Sequence, residues 1–106
     1  MLVTKYLLLY RAPVSAAEQM ASSTPEAAQA GMEAWLAWGE RAGSAIVDMG
    51  SPLQSVSGSG GGDQIGGYAI MQADSLEALQ KVLEGHPHTG WGGTIEILEF
   101  LALPGA

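Results

Sequence analysis

Apolar residues fall into short strand-like runs separated by stretches with helical spacing. Val3 to Tyr10 (VTKYLLLY) is rich in Tyr, Leu and Val, too short for a helix and closed by Arg11-Ala12-Pro13, which predicts a strand. Its apolar residues alternate onto both faces, so a central strand buried on both sides is expected, because edge strands usually carry charges that deter pairing. Ser23-Thr24-Pro25-Glu26 joins a hydroxyl cap, an early proline and an acid placed for the helix dipole, and predicts a helix over about Pro25–Ala42. Ala28, Met32, Trp35, Leu36 and Gly39 make its expected inward stripe, Glu26, Glu33, Glu40 and Arg41 fall largely on the other side, and Gly43 is the C-cap.

Ala45–Met49 (AIVDM) reads as a second strand, closed by Gly50-Ser51-Pro52. Ser55–Asp63 (SVSGSGGGD) is too rich in glycine to form an element interior and reads as a flexible hairpin loop. Gly67–Ala73 (GYAIMQA) is a third strand. Asp74-Ser75-Leu76-Glu77 reads as a capping box, with Asp74 as the cap, opening a helix whose stripe is Leu76, Leu79, Val82 and Leu83 and which Gly85 ends. Thr94–Leu101 (TIEILEFL) is the last strand, with Ile95 and Ile97 on one face and Glu96, Leu98 and Phe100 on the other.

The order β-α-β-β-α-β is that of a ferredoxin-like α+β sandwich, a four-stranded antiparallel sheet with two helices on one face. The other face must then carry apolar residues that nothing in the chain covers. A homodimer joined sheet to sheet through this open face is the expected partner.

Composition narrows the chemistry. The chain of 106 residues fits a single domain spanning 1–106. It has no Cys, which removes disulfides, thiolate metal sites and Cys nucleophiles. A net charge of −7, with the four basic residues scattered at 5, 11, 41 and 81, argues against nucleic-acid binding. The run Leu7-Leu8-Leu9 lies between Lys5 and Arg11 and is too short for a signal-peptide core, and no stretch reaches the roughly 18 apolar residues of a membrane span. A cytoplasmic protein without membrane contact is expected.

The only histidines, His86 and His88, stand in Gly85-His86-Pro87-His88 just after the second predicted helix. They either sit at the helix C-terminus, where a protonated imidazole is favoured, or act as acid/base catalysts ahead of Trp91 and the last strand. Metal binding is the weakest of the three readings, since no third ligand stands at a telling spacing. Asp48, alone in an apolar strand, either faces a pocket or ends the strand in solvent. Arg11, at the end of the first strand, either lies on the surface or clamps an anionic group of a ligand. Tyr10, Tyr68 and Trp91, with Tyr6, Trp35 and Trp38, line an aromatic cavity or pack the core. The Gly/Ser loop lacks the Lys-Ser/Thr and the following helix of a phosphate cradle, and no cofactor is expected.

KYLLLYRAP at the start, GGYAIMQADSLEALQKVLEGHPH in the middle and WGGTIEILEFLALPG at the end resemble the YCII-related proteins, including their DGPF-type branch, over nearly the whole chain. The resemblance implies a dimeric α/β barrel of ferredoxin-like subunits. Within that family a His-Asp pair is a proposed catalytic centre, and a relative performs dehydrochlorinase-type chemistry. The family's His lies soon after the first strand, whereas the first His of this chain is His86, and a Gly/Ser run stands where Asp-Gly-Pro-Phe would be. Two functional readings follow. One is a small cofactor-independent enzyme acting by proton transfer on a small cyclic or aromatic molecule, with His86 or His88 as acid/base and Asp48 or Arg11 orienting substrate. The other is a non-catalytic dimeric binding or accessory module.

Overall fold

The computed structural model describes residues 3–58, 63–90 and 92–104. Trp91 and residues 59–62 of the Gly/Ser loop lie outside these. In chain order the elements are β1 (Thr4–Ala12), α1 (Ala16–Ser22), α2 (Pro25–Ala42), a 3-10 turn (Gly43–Ala45), β2 (Ile46–Asp48), β3 (Gln64–Ala73), α3 (Leu76–Val82), α4 (Pro87–Gly90) and β4 (Thr94–Glu99). The strands form one antiparallel sheet in the order β2-β3-β1-β4. This is the expected α+β ferredoxin-like arrangement, with an open sheet rather than a closed barrel.

β1 takes the predicted central place. Tyr6, Leu8, Tyr10 and Ala12 point to the covered face and are buried. Trp38 of α2 and Leu79 of α3 join Tyr6, Leu8, Tyr10, Ala69 and Met71 in one core. The alternate residues Leu7 and Leu9 stay half-buried, so burial on both faces is not met within one chain, because the helices cover a single face. Gly66 is the extra residue of a bulge opposite Tyr10 and Arg11.

α2 has the predicted limits, with Thr24 Oγ1 accepting from the Ala27 N–H (3.1 Å) and Gly43 closing it at φ 54°. Its inward side differs from the expected stripe. Residues 25–34 are all exposed, with Met32 and Leu36 among the exposed apolar residues; of the expected stripe Trp35 does meet the core, where Trp38 and Ala42 join it. Large indoles bury the most apolar area, and Trp38 Nε1–H also finds a partner in the Val82 carbonyl (3.1 Å), so the two tryptophans set the rotation of the helix.

The start of α3 needs a correction as well. Ser75, extended at φ −157°, is the cap, its hydroxyl accepting from the Ala78 N–H (3.1 Å). Asp74 lies one residue too early for that bond. Ser75→Ala will therefore lower stability by about 1 kcal/mol in urea unfolding. Asp74→Ala will change it by less than half as much, and a reversed ranking would restore Asp74 as the cap.

Candidate functional site

β1 brings Tyr10, α2 brings Trp35 and Trp38, and the turn into the short α4 brings His86, with His88 on α4 itself, to the same place beneath the helices. Gly85, at φ 72°, turns the chain sharply after α3 and sends His86 inward. Pro87 occupies the first position of α4, where its missing N–H costs nothing. The His86 ring does the work usually done by a capping hydroxyl, its Nδ1 accepting from the His88 N–H (3.0 Å). Both histidines are buried, His86 completely, so the reading of exposed rings at a helix terminus does not hold.

The rings pack closely. His86 lies 4.3 Å from Trp38, 4.6 Å from Trp35 and 5.2 Å from Tyr10, centroid to centroid, and Tyr10 meets Trp35 edge-on at 4.9 Å. His88 stands 5.2 Å from Tyr10 and donates from Nε2 to the Arg11 carbonyl (2.8 Å). A carbonyl can only accept, so Nε2 of His88 carries a hydrogen. Gly93 stands against this ring so closely that a β-carbon there would overlap it.

Hydrogen bonding and burial set the state of His86. Because Nδ1 is an acceptor, the neutral ring carries its proton on Nε2, and that atom is buried without a hydrogen-bond partner. The Tyr10 hydroxyl is also buried and unpartnered. Burial, then the charges of His88 and Arg41, lower the His86 pKa from 6.5 to about 4, so the ring is neutral at pH 7. Burial likewise raises the Tyr10 pKa above its ordinary value and keeps the phenol protonated.

The remaining sequence candidates lie elsewhere. Arg11 Nε donates to Glu96 Oε1 (2.7 Å), so the carboxylate it clamps is one of the chain's own. Asp48 is exposed at the end of β2, where Oδ1 accepts from the Gly50 N–H (2.8 Å) and Oδ2 accepts a long bond from the Tyr68 hydroxyl (3.4 Å). Tyr68 and Arg11 belong to the alternate set of β3 and β1 positions and face away from the helices. Two surface cavities of about 310 and 300 Å³ are lined by other residues, around Ser15 and Gln54 in one case and Ala45 and Gln72 in the other. Among the described residues no three His, Cys, Asp or Glu side chains gather as metal ligands, and no helix is long and apolar enough to cross a membrane. Sequence reading missed Arg41 and Gly93. The only sequence trace of the second was the Gly92-Gly93 pair before the last strand.

A four-stranded ferredoxin-like sheet with a His-Pro-His turn beneath its helices defines a small α+β protein with a histidine- and aromatic-lined centre. The chain belongs to the YCII-related domain family, whose model matches residues 5–101. It is similar to a solved structure of 5-chloro-2-hydroxyhydroquinone dehydrochlorinase from Burkholderia phenoliruptrix, in complex with 2,5-dihydroxybenzoquinone. The two share 23% identity over 87% of this chain and 90% of that one, with a TM-score of 0.47. No curated protein matches the chain.

Proposed function

We propose that this chain is a small, single-domain, cofactor-independent enzyme that holds a small cyclic or aromatic molecule at the Tyr10–His86–His88 cluster and acts on it by proton transfer. The carrying observation is the pair of buried, unpartnered polar atoms, Tyr10 Oη and His86 Nε2, in one aromatic cluster. Buried polar groups are nearly always hydrogen-bonded, and each exception calls for an explanation. Two orphaned donors among indole rings suit the acceptor oxygen of a bound ring, with Trp35 and Trp38 as walls and the Arg11 carbonyl orienting His88. A second reading, a binding module without turnover, draws support from the lowered His86 pKa, because a ring neutral far below pH 7 is a poor general base and a good neutral donor.

Tyr10→Phe tests the site. Removing an unpartnered hydroxyl should leave the melting temperature of the free protein unchanged or raised. Against a library of small ring compounds, a hit at about 100 times its Kd will stabilise the parent by about 2.7 kcal/mol, and Tyr10→Phe will weaken that hit at least tenfold. A variant that is destabilised when free and keeps the ligand response would sink the proposal. Product formation from the hit separates enzyme from binding module.

We propose further that the protein works in the cytoplasm as a homodimer, joined through the open sheet face that carries Leu7, Leu9, Ile70, Leu98 and Phe100. Leu98 and Phe100 are exposed in the single chain, which supports this reading. Arg11, Tyr68 and Asp48, on or beside that face, then serve the interface rather than the His86 centre. Light scattering at micromolar concentration should give a dimer mass, and Leu9→Lys a monomer mass. A monomeric parent would end this part of the proposal.

A further inference from the structure

We infer that the ligand of the His86 centre is a small ring compound carrying an anionic oxygen, and that Arg41 is the residue that selects it. This inference rests on the site reading above and adds the charge of the ligand. Its starting point is an uneven use of cations. The chain has 4 basic and 11 acidic side chains, so acidic partners are plentiful. Arg11 takes one, Glu96. Arg41 forms no ion pair with any described residue, although acids precede it on the same helix.

Arg41 stands three residues after Trp38 on α2, close to one helical turn, and therefore on the side of the helix that meets the site. Its Nη atoms lie 3.8 and 3.9 Å from where a β-carbon of Gly85 would be, beside the residue that turns the chain toward His86. A β-carbon at Gly85 would meet the guanidinium in ordinary contact, and the cost of a side chain there comes from the backbone at φ 72°. The charged groups that bear on His86 are His88 of α4 and Arg41 of α2, and both repel a proton there. Among the described residues no carboxylate counters them.

The hydrogen-bond inventory has the same sign. At the cluster, Tyr10 Oη and the His86 Nε2–H are both donors in search of an acceptor. Three acceptors near it are taken, His86 Nδ1 by the His88 N–H, the Arg11 carbonyl by His88, and the Val82 carbonyl by Trp38, and the Tyr10 oxygen, which can also accept, is the exception. Orphaned donors, a nearby unpaired guanidinium and aromatic walls of low dielectric favour an anionic oxygen on a flat ring over a cation or a ring without polar groups. In a chain of net charge −7 this is a local reversal of sign, which sets the preference at short range rather than by steering from afar.

The test uses the full-length protein and 4-nitrophenol, with 4-nitroanisole as its uncharged analogue. Binding is measured by equilibrium dialysis, and ionisation of the bound phenol by its phenolate absorbance. The parent should bind the phenolate at least tenfold more tightly than the anisole and lower the apparent pKa of the bound phenol by about one unit, the equivalent of that tenfold preference. Arg41→Gln, at an exposed position where folding should be kept, will remove most of the preference while leaving anisole binding unchanged, and Arg41→Lys will restore part of it. Equal binding of both probes, or an unshifted phenol, overturns the anion inference and leaves the site reading standing. Binding of neither overturns both.

Discussion

Gly93→Ala will cost about 2–6 kcal/mol of stability and displace the His88 ring. A β-carbon at Gly93 would overlap three ring atoms of His88, Nε2, Cε1 and Cδ2. The ring has little room to retreat: it is buried, packs on Tyr10 at 5.2 Å and holds the Arg11 carbonyl at 2.8 Å. Overpacking costs about 1–3 kcal/mol, and losing the hydrogen bond leaves a buried polar group unpaired at about the same cost again. For a domain of this size each kcal/mol lowers the melting temperature by about 4–8 °C. Gly90→Ala is the control, since a β-carbon there meets nothing within 4 Å. Thermal unfolding should place Gly90→Ala within about 0.5 kcal/mol of the parent and Gly93→Ala far below it. Because His88 N–H also caps onto His86, the Gly93 variant should lose ligand stabilisation too. Equal melting of the two variants would show that His88 is not confined as described.

The contrast between these glycines explains how much of the molecule was legible in advance. Strands and helix limits follow from local signals: the short apolar run of β1 closed by Arg11-Ala12-Pro13, Thr24-Pro25 before α2 and Gly43 after it. α1 was missed because it buries none of its residues and so shows no apolar stripe. Its one sequence trace was Ser15 three residues before Glu18, a bond the structure contains. The inward side of α2 was misjudged because Met32 and Leu36 are as apolar as a core face requires. What excludes them is the helix's position against the sheet, which spacing does not encode.

At the site, local reading found the chemistry but not its arrangement. His86-Pro87-His88 was visible as neighbours, while the inversion of their environment depends on Gly85 and on indoles some fifty residues upstream. Tyr10 and Tyr68 looked equivalent as aromatic wall residues. Register parts them: Tyr10 pairs with Gly67, so Tyr68 is one step off and faces the opposite side of the sheet. Asp48 follows Tyr68 to that side of the molecule through their hydrogen bond. Arg11 divides its roles, lending its side chain to Glu96 and its carbonyl to His88.

The state of His86 leads to the second large effect, a loss of stability in mild acid. In the folded protein its pKa is about 4, lowered by burial first and then by His88 and Arg41, against the ordinary imidazole value of 6.5. Between those values the unfolded chain binds a proton that the folded chain refuses, so stability falls as pH drops from about 6.5 to about 4 and is unaffected by this group above that window. The span corresponds to roughly 3 kcal/mol. His86→Phe isolates it, because Phe keeps an aromatic ring among Trp35, Trp38 and Tyr10 but cannot titrate. At pH 7 the variant should be the less stable by about 1 kcal/mol, having lost the bond to the His88 N–H. Toward pH 4 the two urea midpoints should converge and cross, as the parent loses what the variant never had. Arg41→Gln should narrow the window from below, since one of the charges that hold His86 neutral is gone. Parallel pH profiles for parent and His86→Phe would mean that the buried ring takes up its proton in the folded protein at its ordinary pKa, and the neutral-donor role would go with it.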